Sequence, residues 1–355
     1  MRRSWMMPIA LLACACDAAP VGQAPSGQAQ KGQAPAAVVT SGLKAETMAL
    51  TVAAAGRLPR IRSLLVVRDG RTLAEHRFND GPSLDQPVNI KSASKSVISA
   101  LVGIAIARGV FRGVDQPILS VLGSDVPADP DPRLAKVTVG NLLSMQAGLE
   151  RTSGEFYGRW VSSPNWVRSA LSRPFVDEPG GAMLYSTGNT HLLSAMLTRA
   201  SGRSTLRLAR EWLGEPLGIT IPAWPADPQG VYFGGNEMRL SPRALARFGE
   251  LYRLGGVVDG RRILPASWIE QSWTPMTTSP WSGGRYGYGW FIGQAAGHPV
   301  RFAWGYGGQM IYVVPDLRLT VVMTSDANGA RDSGHIDALH RLLAEGIVPA
   351  AEQGA

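Results

Sequence analysis

Ser92 and Lys95 are the residues of this sequence whose types and spacing point most directly to chemistry. They bound the tetrapeptide Ser92-Ala93-Ser94-Lys95, which opens an apolar stretch that runs to Ala107. Residues i and i+3 of a helix lie on one face, so Lys95 can reach the hydroxyl of Ser92. Burying an ammonium among apolar side chains is costly, and desolvation should lower the pKa of this lysine. We therefore predict a serine nucleophile activated by a neutral or proton-sharing lysine.

The same S-x-x-K spacing occurs a second time, at Ser41-Gly42-Leu43-Lys44. A chain of this length is expected to contain about one such match by chance. The copy at Ser41 has no apolar helix behind it, whereas Ser92 opens a stretch that must be buried. The alternative for Ser92 and Lys95 is a capping serine and a lysine whose ammonium reaches solvent. The apolar context favours the nucleophile.

Composition argues against several other functions. The net charge is +8, but the chain has five lysines and its arginines are scattered singly, which disfavours nucleic-acid binding. The sequence lacks the G-x-S-x-G, H-E-x-x-H, P-loop and G-x-G-x-x-G motifs. We expect no metal and no cofactor, because the histidines lie apart in the sequence and read as structural or surface residues. They are His76, His191, His298, His335 and His340.

The N-terminus is typical of a targeting segment. Residues 1–16 read MRRSWMMPIALLACAC, with two arginines before an apolar run too short to span a bilayer. Leu11-Leu12-Ala13-Cys14 resembles a bacterial lipobox, which predicts lipidation of Cys14, with Cys16 as the other candidate. Both cysteines lie here, so a disulfide framework is excluded for the folded domain. The alternative is an ordinary cleaved secretory signal. Residues 17–45, rich in Ala, Gln, Gly and Pro, predict a flexible tether to the cell envelope, facing the periplasm or exterior.

Residues 46–350 have the pattern of one α+β domain. A helix-like segment is followed by two β-rich runs around Asp69-Gly70, a hairpin signal, and three further β-like runs lie near the C-terminus. An amphipathic helix, HIDALHRLLAEGI, closes the chain. Strands at both ends with helices between them predict an antiparallel sheet built from the two termini and flanked by helices. A mainly helical lobe, approximately residues 110–240, is inserted between them.

Several further motifs follow Ser92 in a fixed order, and together they resemble the serine β-lactamase and penicillin-binding-protein superfamily. The resemblance covers the chain from about residue 47 to its end. It is strongest to the class C-like branch, which includes esterases and 6-aminohexanoate-oligomer hydrolases, and it implies an α/β sandwich. The motifs are VTVGNLLSMQAGLE (137–150), LYSTGN (184–189), LSPRALARFGELYRLGG (240–256), YGYGW (286–290) and WGYGGQMIYVVP (304–315).

The resemblance assigns catalytic roles to three residues. Ser92 is the acylated nucleophile, Lys95 its activator, and Tyr185 the phenol that serves as general base and then acid. A nearby positive charge lowers a tyrosine pKa, and Lys95 would supply it. The family usually has asparagine two residues after this tyrosine. Here Thr187 occupies that position and Asn189 follows two residues later, so either side chain is a candidate for substrate contact.

The third family motif departs further from the pattern. Lactam-cleaving members usually have Lys-Thr-Gly or His-x-Gly on the strand beside the site, whereas the best match here is Ala303-Trp304-Gly305. The missing cation argues against β-lactams and for neutral amides or esters. The N–H of Tyr306, in the run Gly305-Tyr306-Gly307, would pair with that of Ser92 as an oxyanion hole. In a shifted register Arg301 supplies the cation, and Arg285 is another source.

The predicted function is therefore an extracytoplasmic serine hydrolase that cleaves a small-molecule amide or ester through a Ser92 acyl-enzyme. Two alternatives remain open at this point. One is β-lactamase or DD-peptidase activity on β-lactam or peptidoglycan substrates. The other is a catalytically idle envelope lipoprotein that keeps the fold as a binding module. A binding module has no reason to bury Lys95, which favours the enzyme.

Overall fold

A computed structural model describes residues 42–329 and 334–354 of the chain. The predicted signal peptide, Cys14, Cys16 and most of the predicted tether lie outside these residues. The strands are β1 Ile61–Arg68, β2 Arg71–Arg77, β3 Val88–Asn89, β4 Arg239–Leu240, β5 Val257–Val258, β6 Arg261–Arg262, β7 Thr277–Thr278, β8 Arg285–Tyr286, β9 Phe291–Ala295, β10 His298–Gly305, β11 Gln309–Val314 and β12 Leu319–Ser325.

The α-helices vary widely in length. They are α1 Ala45–Gly56, α2 Ser94–Ala107, α3 Leu119–Leu122, α4 Val139–Leu143, α5 Tyr157–Val161, α6 Trp166–Leu171, α7 Thr187–Ser201, α8 Thr205–Ala209, α9 Glu215–Leu217, α10 Pro242–Arg253, α11 Ala266–Ser272, α12 His335–Arg341 and α13 Val348–Gln353. None of the helices in the described part of the chain is long and apolar enough to cross a bilayer.

One eight-stranded sheet organises the domain, in the order β2-β1-β12-β11-β10-β9-β8-β7. All of its paired strands are antiparallel. The first two strands come from the start of the domain and the other six from its end, which confirms the predicted sheet. Asp69 (φ 53°) and Gly70 (φ 75°) form the β1–β2 turn, as the hairpin signal predicts, because such turns favour left-handed residues.

Helices cover both faces of this sheet. Successive side chains of a strand point to opposite faces. Accordingly Leu64 and Val66 join one buried cluster, with α1, α12 and α13. Leu65 and Val67 join the other, with α2 and α10. The result is the sandwich expected from the family resemblance.

Helix α2 lies inside the larger cluster and is buried on every side, as its uniformly apolar sequence predicts. Gly103 permits this packing, since a Cβ at that position would lie 2.4 Å from the ring of Trp268. Ser92 differs from the prediction in one detail. It belongs to a one-turn 3-10 helix, Lys91–Ala93, that leads directly into α2. An i, i+3 pair is adjacent in both kinds of helix, so the pairing of Ser92 with Lys95 is unaffected.

The region between α2 and β4 contains the helices α3 to α9, all of them short except α7. His191 on α7 is buried there and bonds Asp227, with 3.0 Å between Nε2 and Oδ2. Burial lowers the pKa of His191, which fits the structural role expected for the histidines. At the C-terminus, the predicted single helix is instead α12, a π-helical segment Leu342–Ile347 and α13.

Candidate active site

The Lys95 side chain lies at the centre of the site, with 2% of its surface exposed. Its Nζ is 3.1 Å from Ser92 Oγ, 2.8 Å from the carbonyl oxygen of Gly235 and 3.3 Å from Thr187 Oγ1. An ammonium has three N–H donors, so these acceptors satisfy the charged form. A neutral amine can donate to Gly235 and Thr187 and turn its lone pair to the Ser92 hydroxyl. The surroundings therefore fit both states that a proton-accepting lysine must adopt.

Ser92 is half-buried, at the point where its turn meets the sheet. Gly305, the last residue of β10, lies against the carbonyl of Ile90, and a Cβ on Gly305 would lie 2.1 Å from that oxygen. Only glycine allows the strand to approach the serine turn this closely. The end of β10 therefore lies beside the residues that present Ser92.

Tyr185 is the third predicted catalytic residue, and the structure brings it to Lys95. The Lys95 Nζ lies 5.0 Å from the centroid of the Tyr185 ring, within cation–π distance. Tyr185 is buried, and its ring meets the edge of the half-buried Trp281 at 6.1 Å between centroids. The ring of Tyr286 lies 6.4 Å from that of Tyr185, and burial raises the pKa of Tyr286. Of these two tyrosines, Tyr185 is therefore the one suited to exchange protons with Lys95.

Thr187, the first residue of α7, contacts Lys95, whereas Asn189 belongs to a different side of the same helix. Residues i and i+2 of a helix do not share a face. The Thr187 hydroxyl lies 3.3 Å from Lys95 Nζ. Asn189 is buried within the helix. The structure thus places Thr187 beside the lysine, and which of the two side chains contacts substrate stays a prediction.

Two residues that the sequence did not single out hold the start of α7 in place. Ser153 Oγ accepts a hydrogen bond from the backbone N–H of Thr187 (2.9 Å) and lies 3.0 Å from Thr187 Oγ1. Thr152 Oγ1 accepts one from the N–H of Gly188 (2.7 Å). The first N–H groups of a helix have no partner within it. Ser153 and Thr152 supply those partners and fix Thr187 toward Lys95.

Gly235 is a further residue that sequence reasoning missed. Its φ is +83°, and a Cβ there would lie 3.1 Å from both Cγ and Nζ of Lys95. Gly234, next to it, lies against the backbone of α7, with a Cβ contact of 2.2 Å to Thr190 O. The double glycine in the sequence FGGNE was the available signal. Because Gly235 lies 140 residues after Lys95 in the sequence, its contact with the lysine could not be predicted.

The three residues predicted to form or flank the oxyanion hole, Gly305, Tyr306 and Gly307, do not all lie beside the Ser92 turn. Gly305 lies at the serine turn and Tyr306 is half-buried beyond it. Gly307 instead packs against Ala327, and a Cβ on Gly307 would lie 2.5 Å from the Ala327 Cα. The N–H of Tyr306 therefore remains the predicted second donor, next to the strand end that touches the Ser92 turn.

The sequence offered three positions for a cation that binds a substrate carboxylate: Ala303, Arg301 and Arg285. None of them places a positive charge at the end of β10. Ala303 is buried in the core with 1% of its surface exposed. Arg301 lies four residues before Gly305, about 13 Å along the strand, and its guanidinium is over the Trp273 ring at 5.8 Å. Burial, and then the charge of Arg285, lower the pKa of Arg301. Arg285 and Arg301 both pair with Ile292 in the sheet, so they lie together, away from Gly305.

Comparison with known proteins adds three findings. A family model described as Beta-lactamase matches residues 52–345. An uncharacterised protein of Alkalihalophilus pseudofirmus is 22% identical over 200 residues, which cover 51% of this chain and 53% of that protein. The chain thus spans about half the length of this curated relative.

Solved structures share the fold at low sequence identity. A provisionally named 6-aminohexanoate-dimer hydrolase from Bacillus anthracis is similar with a TM-score of 0.67 and 18% identity, over 82% of this chain and 79% of that one. A D-stereospecific amidohydrolase from a Streptomyces species is similar with a TM-score of 0.64 and 20% identity, over 84% of this chain and 98% of that one. At such identities the likeness establishes the architecture alone.

Proposed function

The chain belongs to the β-lactamase family, a family of serine hydrolases, and we propose that it hydrolyses an amide or ester bond through an acyl-enzyme on Ser92. One observation carries this proposal. The buried Lys95 Nζ lies 3.1 Å from Ser92 Oγ, within reach for direct proton transfer. A serine hydroxyl is a weak nucleophile unless an adjacent base removes its proton.

The mechanism begins with neutral Lys95. As Ser92 Oγ bonds to the substrate carbonyl carbon, its proton passes to Lys95 Nζ. The carbonyl of Gly235 and the hydroxyl of Thr187 accept hydrogen bonds from the resulting ammonium. The N–H groups of Ser92 and Tyr306 stabilise the oxyanion. Tyr185, beside the ammonium, relays a proton to the leaving alcohol or amine, and water then hydrolyses the acyl-enzyme by the reverse transfers.

An activity-based probe tests the nucleophile. A fluorophosphonate should label the wild-type protein, and Ser92→Ala should abolish the labelling. Ser41→Ala is the matched control, since Ser41 has the same S-x-x-K spacing without an apolar helix. Labelling that persists in Ser92→Ala contradicts the assignment.

We propose a neutral amide or ester as the substrate class. The support is the core position of Ala303 and the distance of Arg301 from the serine turn, so that neither residue offers a cation there to a substrate carboxylate. The names of the B. anthracis and Streptomyces neighbours, both amide hydrolases, agree with this class. A charge-assisted hydrogen bond contributes about 1.5–3 kcal/mol, roughly one to two decades in kcat/KM. A short-chain p-nitrophenyl ester should thus exceed nitrocefin in kcat/KM, and a tenfold advantage for nitrocefin contradicts the proposal.

We also propose that the enzyme acts outside the cytoplasm, held to a membrane by lipidated Cys14 or Cys16. The support is the sequence MRRSWMMPIALLACAC and the polar segment that follows it. The several acyl chains of a bacterial lipoprotein anchor the protein firmly in the bilayer, whereas a single acyl chain gives only marginal membrane binding. Wild type should fractionate with membranes, and a variant carrying both Cys14→Ser and Cys16→Ser should be released. Retention of that variant refutes the anchor.

A further inference from the structure

Two residues near the nucleophile adopt a backbone conformation that is unfavourable for their type. Lys91, which precedes Ser92, has φ 50°, and Glu237 has φ 60°. Neither is glycine, and a left-handed backbone at such residues persists only where the surroundings hold it. Their side chains meet, with Lys91 Nζ 3.3 Å from Glu237 Oε1. The two residues with a left-handed backbone are therefore linked to each other by an ion pair.

Asn89 completes this connection. Its Oδ1 accepts a hydrogen bond from the backbone N–H of Lys91 (2.9 Å), and its Nδ2 donates to Glu237 Oε2 (2.7 Å). Each carboxylate oxygen of Glu237 thus has its own donor. The backbone adds a further link, because Ile90 N–H donates to the carbonyl of Met238 at 3.0 Å. We call Asn89, Lys91 and Glu237 the clamp.

The clamp and the catalytic lysine are held by the same short segment of chain. The carbonyl of Gly235 accepts a hydrogen bond from Lys95 Nζ, and Glu237 lies two residues later. On the serine side, the carbonyl of Lys91 accepts a hydrogen bond from Ser94 Oγ at 2.7 Å. Residues 235–237 therefore contact the lysine at one end and the serine turn at the other.

We propose that Glu237 is a positioning residue that, through Asn89 and Lys91, holds Ser92 Oγ at the distance from Lys95 Nζ that proton transfer requires. This inference rests on the proposed function, because it concerns the same nucleophile. Glu237 acts through its neighbours and takes no proton in the reaction. A misplacement of about 1 Å in a reacting group can reduce a rate by about 10²-fold. Loss of the clamp should accordingly lower the maximal rate and leave probe affinity nearly unchanged.

The test measures fluorophosphonate labelling over a range of probe concentrations, normalised to folded protein. Glu237→Ala should reduce the maximal labelling rate by about 10- to 100-fold. Its half-saturating probe concentration should stay close to that of wild type. Glu237→Gln keeps the side-chain volume and serves as the second variant if Glu237→Ala does not fold. Glu75→Gln is the matched control, because both carboxylate oxygens of Glu75 bond Arg243 rather than a residue of the clamp, and its rate should equal that of wild type.

A swap of hydrogen-bonding groups separates positioning from general destabilisation. Asn89→Asp alone sets a carboxylate against Glu237 and should slow labelling as Glu237→Ala does. In the double variant that combines Asn89→Asp with Glu237→Gln, the amide at position 237 can donate to the carboxylate at position 89. The labelling rate of this double variant should therefore recover.

The outcomes distinguish the inference from the function beneath it. A wild-type maximal rate in Glu237→Ala, or no recovery in the swap, overturns the clamp while Ser92 still accepts the probe. A wild-type protein that takes up no probe overturns the proposed hydrolase, and the clamp with it.

Discussion

Replacing Gly235 by alanine should test the environment of Lys95 directly. The backbone there has φ +83°, and the added Cβ would lie 2.9 Å from Thr190 Cβ and 3.1 Å from Lys95 Cγ and Nζ. The new methyl group must therefore displace the lysine, the Gly235 segment or both. Either movement changes the distance between Lys95 Nζ and Ser92 Oγ.

The expected cost has a backbone and a packing component. A left-handed alanine costs about 1–2 kcal/mol, and an extra methyl group in a packed interior costs about 1–3 kcal/mol. For a large domain each kcal/mol lowers Tm by about 2–4 °C, so a total cost of about 2–5 kcal/mol should lower Tm by roughly 4–20 °C. A displacement of about 1 Å at Lys95 should slow Ser92 labelling by about 10²-fold.

Gly230→Ala is a closely matched control. Its φ is +82°, but no atom lies within 4 Å of the Cβ position. It should therefore incur only the backbone cost and leave the labelling rate unchanged. The assay compares thermal melts and fluorophosphonate labelling rates of both variants with wild type. If Gly235→Ala labels as fast as Gly230→Ala, Gly235 does not position Lys95 and the reasoning fails.

Three further predictions concern the lysine, the threonine and acid stability. Lys95→Arg keeps a cation that does not deprotonate and should lower the kcat for a p-nitrophenyl ester by about 10²–10⁴-fold; near wild-type turnover would show that Lys95 is structural. Thr187→Val removes the hydroxyl beside Lys95 and should slow the ester reaction about tenfold, whereas Thr187→Ser should retain it. Burial, and then the charges of Arg60 and Arg62, lower the pKa of His335 to about 4. The unfolded chain binds this proton below about pH 6.5, so stability is full above that pH and is lost as pH falls toward 4. Tm should decline over this window, less steeply in His335→Gln, and identical slopes would contradict the assignment to His335.

The parts of the site that the sequence predicts are those set by local geometry. Ser92 and Lys95 are three residues apart, and their contact follows from helical spacing and from the apolar stretch behind them. The family resemblance, confirmed by the match to residues 52–345, supplied Tyr185. The antiparallel sheet followed from the same kind of local signal, alternating β-rich runs separated by turns such as Asp69-Gly70.

The parts that the sequence does not predict depend on contacts between distant segments. Gly235 lies 140 residues from Lys95, and Thr187 lies 92 residues from it. Nothing in the sequence around Gly235 or Thr187 indicates that either residue contacts Lys95. The contact of Thr187 with Lys95 also depends on how α7 begins, where the first N–H groups of the helix bond the side chains of Ser153 and Thr152. Pairings of this kind are fixed by the packing of the whole domain.

The order of strands in the sheet also has a consequence for how the chain folds. Strand β1, near the beginning of the domain, pairs with β12 near its end, and Ile61 lies opposite Ser325. A pairing between such distant segments carries a loop-closure cost before any contact compensates for it, which makes folding slow. Until β12 has been synthesised, one edge of β1 has no strand beside it. The native sheet therefore forms only once the polypeptide is almost complete, and until then the unpaired edge of β1 is open to aggregation or to capture by a chaperone.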